Sequence, residues 1–398
     1  MREKKFPYEQ LFFIFLISFL LPRFVIDETR KVQFQVNYLG KEEVIYQQPK
    51  DQKIVDKKEE KEIEEPVQVK KEDNDFDVDL VYTYVDGSDP NWQKKKQETQ
   101  ARFGFSVDGN LNKARFINFE EIRYSLRSAE LYVPWVRKIF IITDEQTIPY
   151  IKSDHPKIVY IDHKQILPKY ALPNYNSFAI EEGIVNIPGL SNNFLYLNDD
   201  FFFSRPANKS DFFDLKEKVP IINVIHNEWK NLHQKYYKYT RDRNRNDGDA
   251  VNFWATMYFT MSSFHNRTGI YPSGEIPHGV FPCSVDLLRK MNEIFPKEIS
   301  GTLNSHFRDY RNIQLQPGAM LTCLANKKLC KINELKKEDD YVKFFYFTGN
   351  SNPFINVNHL KYRTVCINSG TWAPSTYSQN AKNWLLSWLP NKSSFEKD

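Results

Sequence analysis

The sequence predicts an α/β body on a mostly parallel, helix-covered sheet, with an N-terminal membrane segment and a disordered stalk. Three observations carry this expectation. From residue 77 onward, β-branched and aromatic runs alternate with stretches of helical periodicity. Three of those runs stop in acidic or polar loops, at the strand ends where parallel sheets gather ligands. The preceding residues have a composition that suits neither a sheet nor a core.

The elements follow in order. Val78–Val85 reads as a buried strand, stopped by Asp86-Gly-Ser-Asp-Pro90. Asn118 with Glu121 three positions on is a capping-box pattern. Phe119, Ile122, Leu126, Ala129 and Tyr132 then recur at helical spacing, with Arg123 and Arg127 on one face. Val136–Ile142 is the next strand, ending at Thr143-Asp144, and Ile158–Ile161 another. Phe178–Ile187 reads as a helix closed by Pro188-Gly189. Phe194–Leu197 is a strand running into Asn198-Asp-Asp200, and Ile221–Ile225 is one more.

The N-terminal part is a different material. Leu11–Leu21 is apolar apart from Ser18 and follows the basic stretch Met1–Lys5. It is short against the roughly 20 residues that span a bilayer core. No small-x-small cleavage site follows it, which favours an uncleaved signal-anchor over a cleaved signal peptide. The basic flank puts the N-terminus in the cytosol and the body in the lumen. From Lys50 to Asp75 nearly two thirds of residues are Lys, Asp or Glu, a solvated stalk. The expected domains are therefore an anchor (or signal peptide) over 1–26, a stalk over 27–76, a catalytic body over 77–390 and a tail over 391–398. Sequons at Asn208, Asn266 and Asn391 suit a lumenal glycoprotein. Cys283, Cys323, Cys330 and Cys366 have the number for two disulfides there, buried free thiols being the alternative.

Composition excludes several classes. The 398 residues carry 55 basic and 51 acidic side chains, net +4, without the excess of a nucleic-acid binder. No GxxxxGK[ST] or GxGxxG is present, against a P-loop NTPase or a Rossmann dehydrogenase. The absence of a CxxC pair argues against a zinc ribbon.

The chemistry concentrates at strand ends. A lone Asp there is commonly a cap, but adjacent carboxylates at Asp199 and Asp200 repel each other and need a cation or donors. Mg²⁺ or Mn²⁺ held by such a pair suits a nucleoside-diphosphate donor, whose phosphates complete the shell. Arg123, Arg308 and Arg311 are candidates for bidentate contact with phosphate. His278 lies in a Pro/Gly-flanked loop and titrates in the range useful for a hydroxyl proton.

With those residues in hand, the body resembles the Stealth family of sugar-phosphate transferases. That family includes bacterial capsular-polysaccharide phosphotransferases and the Golgi N-acetylglucosamine-1-phosphotransferase. Asp79–Pro90 is similar to the first region of the family. Arg123–Ser128, Pro134–Lys138, Leu172–Ser177, Ala179–Glu181 and Ile187–Phe201 are similar to the second. Pro277-His278, Phe295-Pro296 and His306–Arg308 resemble the third, and Tyr362–Asn368 the fourth. The resemblance covers roughly residues 77–370 and implies a nucleotide-sugar-transferase-like fold. It further implies transfer of hexose-1-phosphate, often N-acetylhexosamine-1-phosphate, from a UDP-sugar to a hydroxyl of a glycan or glycoprotein acceptor. The product is a phosphodiester and UMP leaves. By the same resemblance Asp199, Asp200, His278 and Arg308 are catalytic, with the Asp pair holding the cation. Asp86, Gly87, Asp89 and Arg123 hold nucleotide and phosphates, and Asn176 and Ser177 shape the donor pocket. The chain departs from the family at Tyr84-Val-Asp86, where Trp-Val-Asn is usual, and at Ser369, where an Asp is usual. An ordinary glycosyltransferase releasing UDP and an inactive carbohydrate-binding relative are the competing readings. The membrane expected is Golgi or another of the secretory pathway, crossed once in type II orientation.

Overall fold

The computed structural model describes residues 76–104, 116, 118–240, 248–338, 341–347, 352–354, 357–369 and 375–397. The expected anchor and all but the last residue of the stalk lie outside them. Among the described residues no helix is long and apolar enough to cross a membrane.

The central sheet takes its order from the β-branched runs. Strands β1 (Val78–Thr83), β2 (Ile139–Thr143), β3 (Ile158–Asp162), β4 (Asn193–Asn198) and β8 (Phe281–Ser284) stand in the order β3-β2-β1-β4-β8. The first four are parallel and β8 is antiparallel to β4. Both faces are covered, as parallel sheets require. Leu80 and Tyr82 of β1 enter one apolar core with Ile139, Ile141, Leu195 and Leu197. Val81 enters the other with Phe140, Ile142, Phe194 and Tyr196.

Helix α1 (Pro90–Arg102) follows β1, and α2 (Glu121–Tyr132) buries Ile122, Leu126 and Ala129 in the first core. The capping box expected from Asn118 and Glu121 does not form. The residue preceding α2 is Glu120, in the left-handed region (φ 65°), and its N–H donates to Asn118 Oδ1 (2.7 Å). The carboxylate of Glu121 turns back to the Phe119 N–H (2.8 Å). Helical structure over 178–187 is also shorter than expected. It is α-helical only over α4 (Ser177–Glu182), the helix α3 (His163–Ile166) having come before it, and tightens into a 3₁₀ turn over Gly183–Asn186.

Two smaller sheets complete the body. In one, β10 (Val342–Phe347), β11 (Thr364–Ser369) and β5 (Phe201–Phe203) are neighbours in that order. In the other, β7 (Val219–Ile225) lies between β6 (Phe213–Asp214) and β9 (Lys331–Leu335). Between them in the chain come α5 (Trp229–Tyr237), α6 (Gly248–Thr268), α7 (Val285–Ile294), α8 (Pro296–Leu303) and α9 (Leu315–Ala325), and α10 (Ser375–Trp388) closes the body. Cysteine pairing settles between the two expectations. Cys323 and Cys330 form a disulfide, while Cys283 and Cys366 are buried free thiols.

Candidate active site at the ends of β1 and β4

The site grows from the register of the central sheet. Thr83 pairs with Asn198, so β1 and β4 end side by side. Their ends are tied together: Asn198 Oδ1 accepts from the Tyr196 hydroxyl (2.9 Å) and from Thr83 Oγ1 (3.3 Å). Beyond β1, Asp86 Oδ1 accepts from the N–H and hydroxyl of Ser88 (2.9 and 2.6 Å). Gly87 is obligatory here, because a Cβ would stand 2.3 Å from Phe116 Cβ. Asp89 caps α1, accepting from Asn91 N–H at 2.8 Å.

Beyond β4, Asp199 and Asp200 form a two-residue corner that carries the chain out of the central sheet into β5. Two hydroxyls of α2 hold β5 in place: Ser125 donates to Phe201 O, and Ser128 Oγ accepts from Phe203 N–H (3.1 Å). Across the corner, Ile367 N–H donates to Asp200 O (3.1 Å). Asp200 Oδ2 has Asn368 Nδ2 at 3.4 Å and Cys366 Sγ at 3.6 Å. Its Oδ1 is buried without a hydrogen-bond partner among the described residues.

A third carboxylate joins this pair. Burial raises the Asp200 carboxyl to about 7 against its Cys366 and Asn368 donors. Burial likewise raises Glu121 to about 7, with the charges of Asp200 and Asp86 adding to it. Asp199 is pushed well above the usual range by burial first, then by Glu121 and Asp200. The Tyr84 hydroxyl is raised by burial and by the same acids, Asp86, Asp199 and Glu121. Four acidic side chains and a tyrosine therefore share one neighbourhood. In the sequence Glu121 carried only a capping signal, which hid it.

These atoms fit a divalent cation in one respect and limit it in another. Repelling carboxylates and an orphaned oxygen are what a cation relieves. Among the described residues, however, no group of three or more His, Cys, Asp or Glu is arranged to enclose a metal. Asp199 and Asp200 could hold a divalent cation only with ligands from outside the protein, rather than as an all-protein cage.

His278 lies beside the corner. Its ring meets Phe201 and Phe344 edge-on, each at 5.1 Å between centroids. The backbone N–H of His278 donates to Glu338 Oε1 (3.1 Å). Burial, and then the charge of Arg308, push its imidazole down to about 4. His278 is therefore neutral near pH 7, the state in which it can accept a proton. Arg308 Nη2 donates to Ser177 Oγ (2.8 Å), and its guanidinium lies 4.6 Å over the Phe178 ring. Asn176 is fully buried and accepts from Phe178 N–H (3.2 Å) at the start of α4. Its Nδ2 donates to Asn312 Oδ1 (2.8 Å) and Ser305 O (3.1 Å). Asn176 thus positions Ser177 and the loop carrying Arg308.

Other candidates have partners of their own. Arg123 is committed to Glu120 (3.1 Å) and Glu396 (3.3 Å) and covers the Tyr150 ring at 3.9 Å. Arg311 is exposed and pairs with Asp309 (3.1 Å). Asp144, at the end of β2, is paired with Lys95 (2.6 Å).

Comparison with known proteins matches two regions of the chain to a protein family. Residues 76–104 match Stealth protein conserved region 1, and residues 115–221 match Stealth protein conserved region 2. The chain carries both Stealth regions. Asp86, Glu121, Asp199 and Asp200 fall inside them, whereas His278 and Arg308 fall outside. A Streptomyces coelicolor exopolysaccharide phosphotransferase, SCO2592, is 31% identical over 244 residues, 60% of this chain and 24% of that protein. The capsular polysaccharide phosphotransferase SacB of Neisseria meningitidis serogroup A is 28% identical over 337 residues, 82% and 58% of the two chains. The exopolysaccharide phosphotransferase CpsY of Mycobacterium tuberculosis is 29% identical over 334 residues, 81% and 58%. The chain therefore spans from 24% to 58% of the length of these relatives. Among solved structures, the galactosyltransferase LgtC is similar at a TM-score of 0.37 and 8% identity, over 79% of this chain and 96% of that one. That likeness is distant and concerns the course of the backbone only.

Proposed function

We propose that this chain transfers hexose-1-phosphate, in particular N-acetylhexosamine-1-phosphate, from a UDP-sugar to a hydroxyl of a glycan acceptor. The observation that carries the reading is the pairing of the Asp199–Asp200 corner with a neutral His278 that feels the charge of Arg308. The relatives' names, exopolysaccharide and capsular polysaccharide phosphotransferase, point to the same class of chemistry.

Phosphoryl transfer asks a protein mainly for positioning and charge neutralisation. Asp199 and Asp200 would hold Mg²⁺ or Mn²⁺, which supplies positive charge to the diphosphate oxygens. Arg308 adds a fixed guanidinium for the oxygens on the β-phosphorus. His278 takes the proton of the acceptor hydroxyl as that oxygen bonds to the β-phosphorus. The bond from the β-phosphorus to the bridging oxygen breaks, and UMP leaves with that oxygen. Asp86, Gly87 and Asp89 would form the floor of the nucleotide subsite. Arg123 and Asn176 would act through the framework they hold, and Ser177 by aiming Arg308.

The reading places the enzyme, as a glycoprotein, on the lumenal side of a Golgi or other secretory membrane, anchored by residues 1–26. Its three sequon asparagines are exposed. The decisive experiment incubates the chain with UDP-N-acetylglucosamine, Mg²⁺ or Mn²⁺ and simple sugars, then identifies the nucleotide. UMP is expected. UDP would mark attack at the anomeric carbon and overturn the assignment, and no turnover with any UDP-sugar would favour an inactive binding relative.

A further inference from the structure

The loop that carries Arg308 also walls a cavity of about 400 Å³. That size lies within the roughly 300–1,000 Å³ of small-ligand sites. The loop contributes Ser305, Asp309, Arg311 and Asn312, α8 contributes Lys297 and Glu298, and α6 contributes Phe259. The cavity and the active site share one frame. Asn312 donates to Ser305 Oγ (2.9 Å) and accepts from Asn176, the neighbour of the Ser177 that receives Arg308.

Two bases and two acids line the cavity, but they are not paired with one another throughout. Glu298 is taken up by Arg267 (2.7 Å) and Asp309 by Arg311 (3.1 Å). Lys297 makes no ion pair among the described residues. Of the lining residues this leaves Lys297 without an acid, beside the Phe259 ring and the amide and hydroxyl of Asn312 and Ser305. An aromatic face, hydrogen-bonding side chains and a surplus cation together suit a sugar bearing an anion.

We propose that this cavity is an acceptor subsite for a glycan that already bears a phosphodiester, its anion lying on Lys297 and Arg311 and a sugar face on Phe259. The inference rests on the proposed transfer and deepens it. A reaction that leaves a phosphodiester on its product generates this ligand whenever the product is extended again. Arg308, on the same loop, then lies next to the incoming hydroxyl.

Gly301 offers a clean test, because a Cβ there meets no atom within 4 Å and the residue lines the cavity. The full chain is assayed with two short acceptors of the same sugar, one joined by a phosphodiester and one uncharged. Gly301→Asp and Lys297→Ala should each raise KM for the phosphodiester acceptor about fivefold, the scale of a partly exposed charge contact. KM for the uncharged acceptor and donor hydrolysis without acceptor should stay unchanged. Gly301→Lys should not raise KM for the charged acceptor. Unchanged KM for that acceptor in both Gly301→Asp and Lys297→Ala would overturn the proposal. Should the chain cleave no donor at all, the proposed transfer fails, and calorimetry with the phosphodiester acceptor still decides the cavity. Binding abolished by Gly301→Asp supports it, while absent or unaltered binding overturns it.

Discussion

Helix α2 carries buried charge at two places, and the two are treated in opposite ways. Near its middle, Arg127 is enclosed by partners. Its Nε and Nη2 reach the two oxygens of Glu396 (2.7 and 2.8 Å), and Nη1 reaches Leu389 O (2.7 Å). At its start, Glu121 feels the charges of Asp86 and Asp200, which add to the shift that burial imposes. The first arrangement ties the C-terminal segment to the body. The second crowds like charges that protonation or a bound cation relieves. Removing one partner of a buried ion pair leaves an uncompensated charge, whereas removing one of several like charges relieves strain. Stability and activity should therefore respond in opposite senses at the two places.

The largest effect is expected at the corner. Asp200→Asn should lower kcat/KM at least about 1,000-fold, the scale of losing an electrostatic group that acts on the transition state. The same variant should keep or gain thermal stability, and a fall in Tm comparable to that of a core mutation would break the contrast. Glu396→Ala should do the reverse. It strands Arg127 and should cost about 3 kcal/mol of unfolding free energy in urea, while the protein that remains folded keeps most of its turnover.

Smaller effects sharpen the comparison through pH. Glu121 is raised in the folded protein from its ordinary value near 4.5 to about 7. Its contribution is fully favourable below the unfolded value and is lost as pH rises through about 7. Glu121→Gln should therefore match the parent near pH 4 and exceed it at pH 8, by something on the order of 2 kcal/mol. Equal stabilities at pH 8 would remove Glu121 from the cluster. His278 runs the other way. Its folded value is depressed from 6.5 to about 4, so stability falls as pH drops across that interval. His278→Gln should flatten this acid loss, and it should lower turnover about 100-fold, as expected for a proton acceptor.

Much of the frame was legible in the sequence because parallel strands buried on both faces read as continuous apolar runs. Val78–Thr83, Ile139–Thr143 and Asn193–Asn198 lie close to where those runs fall. The Asn198-Asp-Asp200 corner was legible for the same reason, as polarity where a core strand must stop. Glu121 was not, since an acid at the start of a helix reads as a cap whether or not its carboxylate turns inward. Phe201–Phe203, beyond the corner, carried no strand expectation, and pairing with residues 364–366, far along the chain, places it in another sheet. The commitment of Arg123 to Glu396 was hidden by the same long separation. Periodicity reports burial, but it does not report which distant partner a charged group will meet.

The contrast between the two charged places reduces to one claim, that the corner crowds its carboxylates because it receives a cation and a diphosphate together. Calorimetric titration of UDP into the chain with and without Mg²⁺ tests this most directly. Binding that requires Mg²⁺ and disappears in Asp200→Asn is the expected result. UDP affinity that is indifferent both to Mg²⁺ and to that substitution would contradict it.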